Sequence, residues 1–400
     1  MCRLDPITER GELPLKKGFI ILTIIISVAV FATAIIHAQD KASIEDLLKQ
    51  AAEKQQQGDI DGAITLYNQV ISIDAQNYVA YHNLGIAYII QKKWDAAIDA
   101  LIQAQLIDPI KGEDSYLAGF AYMNIKDFER AIVKFKRAIQ LNYNGPDVYA
   151  SLANACQMTG KSTEALAAVQ DGIKANPDSV NLWLLSAGFN MTMGKTDQAI
   201  AAYQKVIALD PSVIPVYNML GSIYSMSNRY EEAAAVLKKG VETHPKNTDG
   251  FILLSSVYYE LDKMDDALLA ARKAVELDPK KADALSNLGY IYAERNERLK
   301  EALDLCTQAA VLAPKNPSIL DSLGWVQFKN GQTAAAIATL QQVVALDRSE
   351  GWAHYHLAVI YLAQNQKQKA VDEYRLAEKC PTFSRKLVVE LAVLKKKLGL

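Results

Sequence analysis

The chain has 400 residues, with 43 Lys plus Arg against 45 Asp plus Glu and a formal net charge of −2. That balance argues against a nucleic-acid binder, which carries a basic excess or a basic stripe. Its four cysteines, Cys2, Cys156, Cys306 and Cys380, are far apart, form no CxxC pair and build no Cys/His cluster with metal-ligand spacing, so no metal or cofactor is expected.

In chain order the first element is apolar. Residues 18–36, GFIILTIIISVAVFATAII, form 19 consecutive positions without a charge, enough to cross a hydrocarbon core as a helix. Arg10, Lys16 and Lys17 precede this run, and the flank after it, Gln39-Asp40-Lys41, is mixed. The positive-inside bias therefore predicts residues 1–17 in the cytoplasm and everything after residue 36 on the other side, in a periplasm or its equivalent. Two fates fit: an uncleaved membrane anchor, or a signal segment cut after Ala38, where Ile36-His37-Ala38 supplies small residues and the product is exported.

From residue 44 on, the chain is periodic. Ala63, Ala97, Ala131, Ala165, Ala199, Ala233, Ala267, Ala302, Ala336 and Ala370 follow one another at 34 residues, with a single step of 35 between Ala267 and Ala302. Such a period marks a stack of small units, each burying its apolar face against the next. With this alanine as position 20, ten repeats run from 44 to 384. Position 8 is always small: Ala51, Gly85, Gly119, Ala153, Ala187, Gly221, Ser255, Gly289, Gly324, Ala358. Position 11 is often tyrosine, as in Tyr88, Tyr122, Tyr224, Tyr258, Tyr292 and Tyr361. Position 32 is often proline, as in Pro109, Pro177, Pro211, Pro245, Pro279 and Pro314.

Positions 4, 7, 8 and 11 share one helical face, as do 17, 20, 24 and 27, so each unit is a pair of helices, A then B. Small residues at 8 and 20 let the two backbones approach closely. Gly58, Gly160, Gly194, Asn228, Asn296, Gly331 and Asn365, near position 15, suit a left-handed A–B turn, and the proline ends helix B. In these residues the chain resembles the tetratricopeptide repeat family. The resemblance covers residues 44–384 and is nearest consensus at Leu84-Gly85-Ile86-Ala87-Tyr88 and Leu288-Gly289-Tyr290-Ile291-Tyr292. It implies an all-α, right-handed superhelical solenoid of about ten antiparallel helix pairs. Departures are local: Tyr143 replaces the proline of repeat 3, Asn190 takes position 11 of repeat 5, and repeat 8 has one extra residue in its turn. Residues 385–400 read as a capping helix with the stripe Leu387, Leu391, Leu394, Leu398 and with Lys395-Lys396-Lys397 near its end.

In that family the A helices line a concave groove, with positions 2, 5, 6, 9, 12 and 13 facing it, and usually bind peptides. From residue 78 on, those positions carry Glu113, Asp147, Asp249, Glu260, Asp283, Glu294 and Asp321, against Lys329 as their only cation. The family's Lys/Arg clamp for a peptide carboxylate is therefore missing, and a basic or neutral partner is favoured. Aromatic and apolar side chains also fall there: Tyr116, Phe120 and Met123, then Tyr290, Trp325, Phe328, Trp352 and Tyr355, either as anchors for a ligand or as packing between neighbouring A helices. Asn83, Asn154, Asn218 and Asn287 face inwards and can pair with an extended peptide.

Enzyme motifs are absent: there is no P-loop, GxSxG or HExxH, and the five histidines suggest no catalytic site. Asn190-Met191-Thr192 matches a glycosylation triplet but falls within a helix. The expectation is a non-enzymatic repeat scaffold, tethered to or exported across a membrane, that holds a partner polypeptide in assembling a cell-envelope complex. The alternative is an accessory protein whose groove aromatics stack on a secreted glycan.

Overall fold

The computed structural model describes residue 41, residues 43–381 and residues 384–400. The apolar run at 18–36, and with it the choice between anchor and cleaved leader, lies outside those residues. Among the described residues all regular structure is helical, and no helix is long and apolar enough to cross a membrane.

Two compact units divide the described residues, the first ending at Leu182 and the second running from Trp183 to Leu400. The first unit holds α1 (residues 43–56), α2 (Ile60–Ile73), α3 (Tyr78–Ile90), α4 (Trp94–Ile107), α5 (Gly112–Asn124), α6 (Phe128–Gln140), α7 (Pro146–Met158) and α8 (Ser162–Ala175). The division falls inside α9 (Val180–Thr192). This is the helix that carries Asn190 in place of the usual tyrosine. Asn190 is only 3% exposed, its amide nitrogen bonds the Ser186 carbonyl at 2.9 Å, and its Oδ1 has no partner. A polar core position replaces apolar packing there, and the glycosylation triplet is closed to modification. The second unit continues with α10 (Thr196–Leu209), α11 (Ile214–Met226), α12 (Tyr230–Thr243), α13 (Thr248–Glu260), α14 (Met264–Leu277), α15 (Ala282–Glu294), α16 (Leu299–Leu312), α17 (Pro317–Lys329), α18 (Thr333–Leu346), α19 (Gly351–Ala363), α20 (Lys367–Lys379) and α21 (Arg385–Leu398).

Local chemistry sets these boundaries. Asn77 and Asn247 begin A helices by accepting the Ala80 and Gly250 amides, each at 3.0 Å, and Asp59 and Asp127 do the same for B helices. Pro146 and Pro317 sit in first turns, where a missing N–H costs nothing. All seven Gly and Asn residues singled out for the A–B turns have positive φ, as do Lys92, Lys126 and Asp262 at the equivalent place. The extra residue of repeat 8 is absorbed by a second left-handed residue, Arg298, just before α16. In repeat 3, without its proline, α6 ends at Gln140, Asn142 turns left-handed, and Tyr143 stacks on Tyr116 with ring centroids 5.0 Å apart.

Each pair closes on the same contact. All ten repeat alanines have no exposed surface. Opposite them, position 8 lies directly over the side chain at position 24. A Cβ on Gly221 would come within 2.5 Å of Leu237 Cγ, and one on Gly289 would meet the Cys306 sulfur at 2.5 Å. Ser255 fits at the same position because its hydroxyl donates to the Ala267 carbonyl at 2.8 Å. Burial pushes the Cys306 thiol up to about 12, so it behaves as a small apolar residue. Gly221→Val should therefore destabilise the second unit by about 1–3 kcal/mol through overpacking. Leu237→Ala alone should cost about 2–5 kcal/mol through the cavity it leaves. Urea melts of the double variant should show less than the sum, because the added methyls occupy the vacated space; strict additivity would contradict this contact.

Candidate functional site

The A helices of the second unit bring their groove positions together around a cavity of about 550 Å³. α11 contributes Ser222 and Ser225, α13 contributes Ser256, Tyr259 and Glu260, α15 contributes Asp283, Ser286, Asn287 and Tyr290, and α17 contributes Ser318, Asp321 and Ser322. Glu350, the residue before α19, and Trp352 in its first turn close one end, and Ser384, before α21, lies at another edge. Among the described residues no Lys or Arg lines the cavity. Short serines leave its volume open and offer hydroxyls that both donate and accept.

Most of the carboxylates are held by partners within the protein. Glu294 accepts the Tyr259 hydroxyl at 2.8 Å and the Trp325 indole N–H at 2.7 Å, which joins α13, α15 and α17. Asp321 is buried and bonds His356 Nδ1 at 2.9 Å, while that ring stacks on Trp325 with centroids 4.3 Å apart. Asp249 pairs with Lys281 at 2.7 Å. Burial, with Asp321 nearby, raises the Glu350 carboxyl above its usual range. Burial, with the Glu294 carboxylate alongside, likewise raises the Tyr259 hydroxyl. Asp283 stays exposed.

The expected groove residues separate into three sets. Asp283, Asn287, Tyr290, Asp321 and Trp352 line the cavity together. Trp325 and Tyr355 are not exposed anchors: they are 7% and 9% exposed, and with half-buried Phe328 they pack in the core behind it. Their polar ends are spoken for, since Tyr355 donates to Glu390 of α21 at 3.0 Å. Lys329, the groove cation of the second unit, lies over the Trp325 ring at 5.3 Å. Asn218 and Asn247 bond each other at 2.9 and 3.3 Å, and Asn287 donates to Ser256 at 3.1 Å while its buried Oδ1 has no partner among the described residues. Tyr116, Phe120 and Asn154 belong to the first unit. There Tyr116 is stacked on Tyr143, Phe120 meets the edge of Trp94 at 6.1 Å, and Asn154 is exposed.

Two features went unread in the sequence. The serines occupy groove positions 2, 5, 6, 9 and 12, and were visible there once charges and rings had been counted. The histidine–carboxylate pairs were hidden, because the partners lie 19 to 35 residues apart: His82 with Asp114, His354 with Glu373, and His356 with Asp321. Among the described residues no His, Cys, Asp and Glu cluster could hold a metal ion.

Capped helix pairs stacked at a 34-residue period around a serine-rich, acid-bordered cavity define a helical-repeat interaction scaffold. The chain belongs to the tetratricopeptide-repeat family described as the Cilia and flagella-associated protein 70 C-terminal domain, which matches residues 173–384. Families described as TPR repeat and Tetratricopeptide repeat match residues 55–89 and 78–111. Human Tetratricopeptide repeat protein 28 is 27% identical over 142 residues, 36% of this chain and 4% of that protein. Bovine BBSome complex member BBS4 is 25% identical over 141 residues, 34% of this chain and 27% of that protein. The chain thus spans a minor part of these curated relatives. The solved structure of a tetratricopeptide repeat protein from Parabacteroides merdae, 16% identical, matches with a TM-score of 0.51 over 62% of this chain and 98% of that one, which shows the fold.

The two tryptophans should respond differently to substitution. Trp325→Phe removes one of the two donors to Glu294 and should cost about 1–3 kcal/mol in a denaturant melt. Trp352→Ala should disturb a half-buried position and change ligand capture more than the melt; the reverse pattern would place Trp352 in the core with Trp325. A pH effect is also expected. Both ring nitrogens of His354 face acceptors, Glu373 at 2.6 Å and the Arg348 carbonyl at 3.3 Å, so the imidazolium satisfies both. The Glu373 hydrogen bond raises its pKa above the usual value. Its stabilising contribution is complete below the unfolded value of about 6.5 and is lost as pH rises through the raised folded value. Urea melts of His354→Gln should show a smaller loss of stability than the unsubstituted chain across that window.

Proposed function

We propose that the cavity of the second unit holds a segment of a partner polypeptide, basic or neutral in charge. The chain would act as a non-enzymatic scaffold in assembling a cell-envelope complex, held at a membrane by residues 18–36 or exported after cleavage near Ala38. The observation that carries this reading is the cavity wall, where Glu260, Asp283 and Glu350 stand beside Trp352 and Tyr290 and, among the described residues, no Lys or Arg lines it. Such a wall attracts cations and offers an aromatic face to them. A peptide is favoured over a glycan because Trp325 and Tyr355, two of the rings a sugar would stack on, are buried. The bovine relative is named as a complex member, in keeping with a scaffold.

Asp283 is the residue to reverse, because it is exposed while Asp321 is locked to His356. Asp283→Lys should weaken capture of a labelled hexa-arginine peptide, mainly through the association rate and most strongly at low salt. Capture indifferent to both the reversal and ionic strength would remove the cation preference and leave the scaffold. For topology, a reporter active only outside the cytoplasm, fused after Leu400, should be active; activity confined to a cytosolic reporter would overturn the charge-bias reading.

A further inference from the structure

The capping helix does more than cover the last repeat. Its apolar stripe, Leu387, Leu391, Leu394 and Leu398, is buried against the repeats before it. Its first turn instead crosses to the turn between α13 and α14, more than a hundred residues earlier in the chain. The Lys386 backbone N–H donates to Glu260 at 2.8 Å, and the Arg385 N–H reaches the Tyr230 hydroxyl at 3.4 Å. The Lys386 ammonium pairs with Asp262 and lies 5.0 Å above the Tyr259 ring, and the Arg385 guanidinium is 3.8 Å from Glu231. The first N–H groups of a helix have no partner within it and carry the positive end of its dipole. Here two of them are satisfied by acceptors on the far side of the groove.

This turn also borders two spaces. Glu260 lines the cavity described above and equally a second space of about 550 Å³, whose other walls include Lys386 and Val389. Ser384, just before α21, lines the first space, and Arg385 and Lys386 of its first turn line the second. This turn brings two cations and a helix N-terminus to an edge that carries Glu231, Glu260, Asp262 and Glu390 against Lys263. Apart from buried Leu387, the contacts that hold this turn are polar and part-buried or exposed, whereas Leu391, Leu394 and Leu398 anchor the rest of the helix in the apolar core.

We propose that the first turn of α21 is an internal strap that occupies the acidic edge of the cavity in place of a partner, and that a basic partner segment gains the full groove by displacing it. Release joins the two spaces and frees Glu260, Asp262 and the face of Tyr259, while Leu391, Leu394 and Leu398 keep the helix attached. This proposal rests on the basic-partner reading above.

Two measurements on the full chain test it. The Lys386 amide has Glu260 as its acceptor, so its hydrogen exchange reports the strap. Glu260→Ala should speed exchange at that amide at least tenfold and leave the Leu394 amide unchanged; unchanged exchange at Lys386 overturns the strap. Lys386→Glu should bind the labelled hexa-arginine peptide at least tenfold more tightly than the unsubstituted chain. Lys386→Met, which keeps the stem over Tyr259 and removes the charge, should lie between and guards against misfolding of the first variant. Equal binding by all three chains overturns the strap and leaves the basic-partner reading standing. Binding by none overturns that reading and the strap's gating role with it.

Discussion

The structure depends on how near an A helix can come to its B helix. Positions 8 and 20 must be small, because the residue at position 24 fills the space above position 8, as Leu237 does over Gly221. That contact recurs without a central core. Burial is distributed in successive clusters, one near Tyr67 and Leu84 and others along α13–α21, so each pair is stable through its neighbours. The repeating tyrosines at position 11 add a local reinforcement. Arg130 covers Tyr122 at 4.8 Å, Arg229 covers Tyr224 at 4.6 Å, and Lys369 covers Tyr361 at 5.3 Å, each cation coming from the start of the B helix.

Because packing occupies one face of every A helix, the opposite face is available for polar chemistry, and the second unit uses it in a layered way. Behind the cavity, carboxylates and rings are tied to one another, as in Glu294 with Tyr259 and Trp325 or Asp321 with His356. At its surface remain Asp283, the serines and Trp352. The charge of the groove as counted from the sequence is therefore larger than the charge a ligand would meet, since several acids already have donors.

The fold was legible because its signal is local and repeated. The left-handed turns could be placed from single Gly and Asn residues, and the extra residue of repeat 8 was localised to the turn where Arg298 absorbs it. The division inside α9 was not legible, since the 34-residue spacing runs from Ala165 to Ala199 without a break. The groove was legible as a set of positions and illegible as a surface. A helical face says that Trp325 and Trp352 point the same way, but only the neighbouring helices decide that one donates to Glu294 in the core and the other reaches the cavity. The crossing of α21 is a contact between residues 126 positions apart, Glu260 and Lys386, and no pattern along the chain announces it.

Glu294 has a further consequence. Its carboxylate receives a hydroxyl from the helix before it and an indole N–H from the helix after it, so the separation of three consecutive A helices is set by the lengths of two hydrogen bonds. The wall behind the cavity is therefore preorganised. Side-chain freedom that a softer groove would surrender on meeting a ligand has already been given up on folding, and that loss no longer subtracts from affinity. A template with fixed spacing also discriminates by pitch. On the proposed reading, a segment whose side chains match the rise from α13 to α17 docks without distortion, and one that does not match must bend itself.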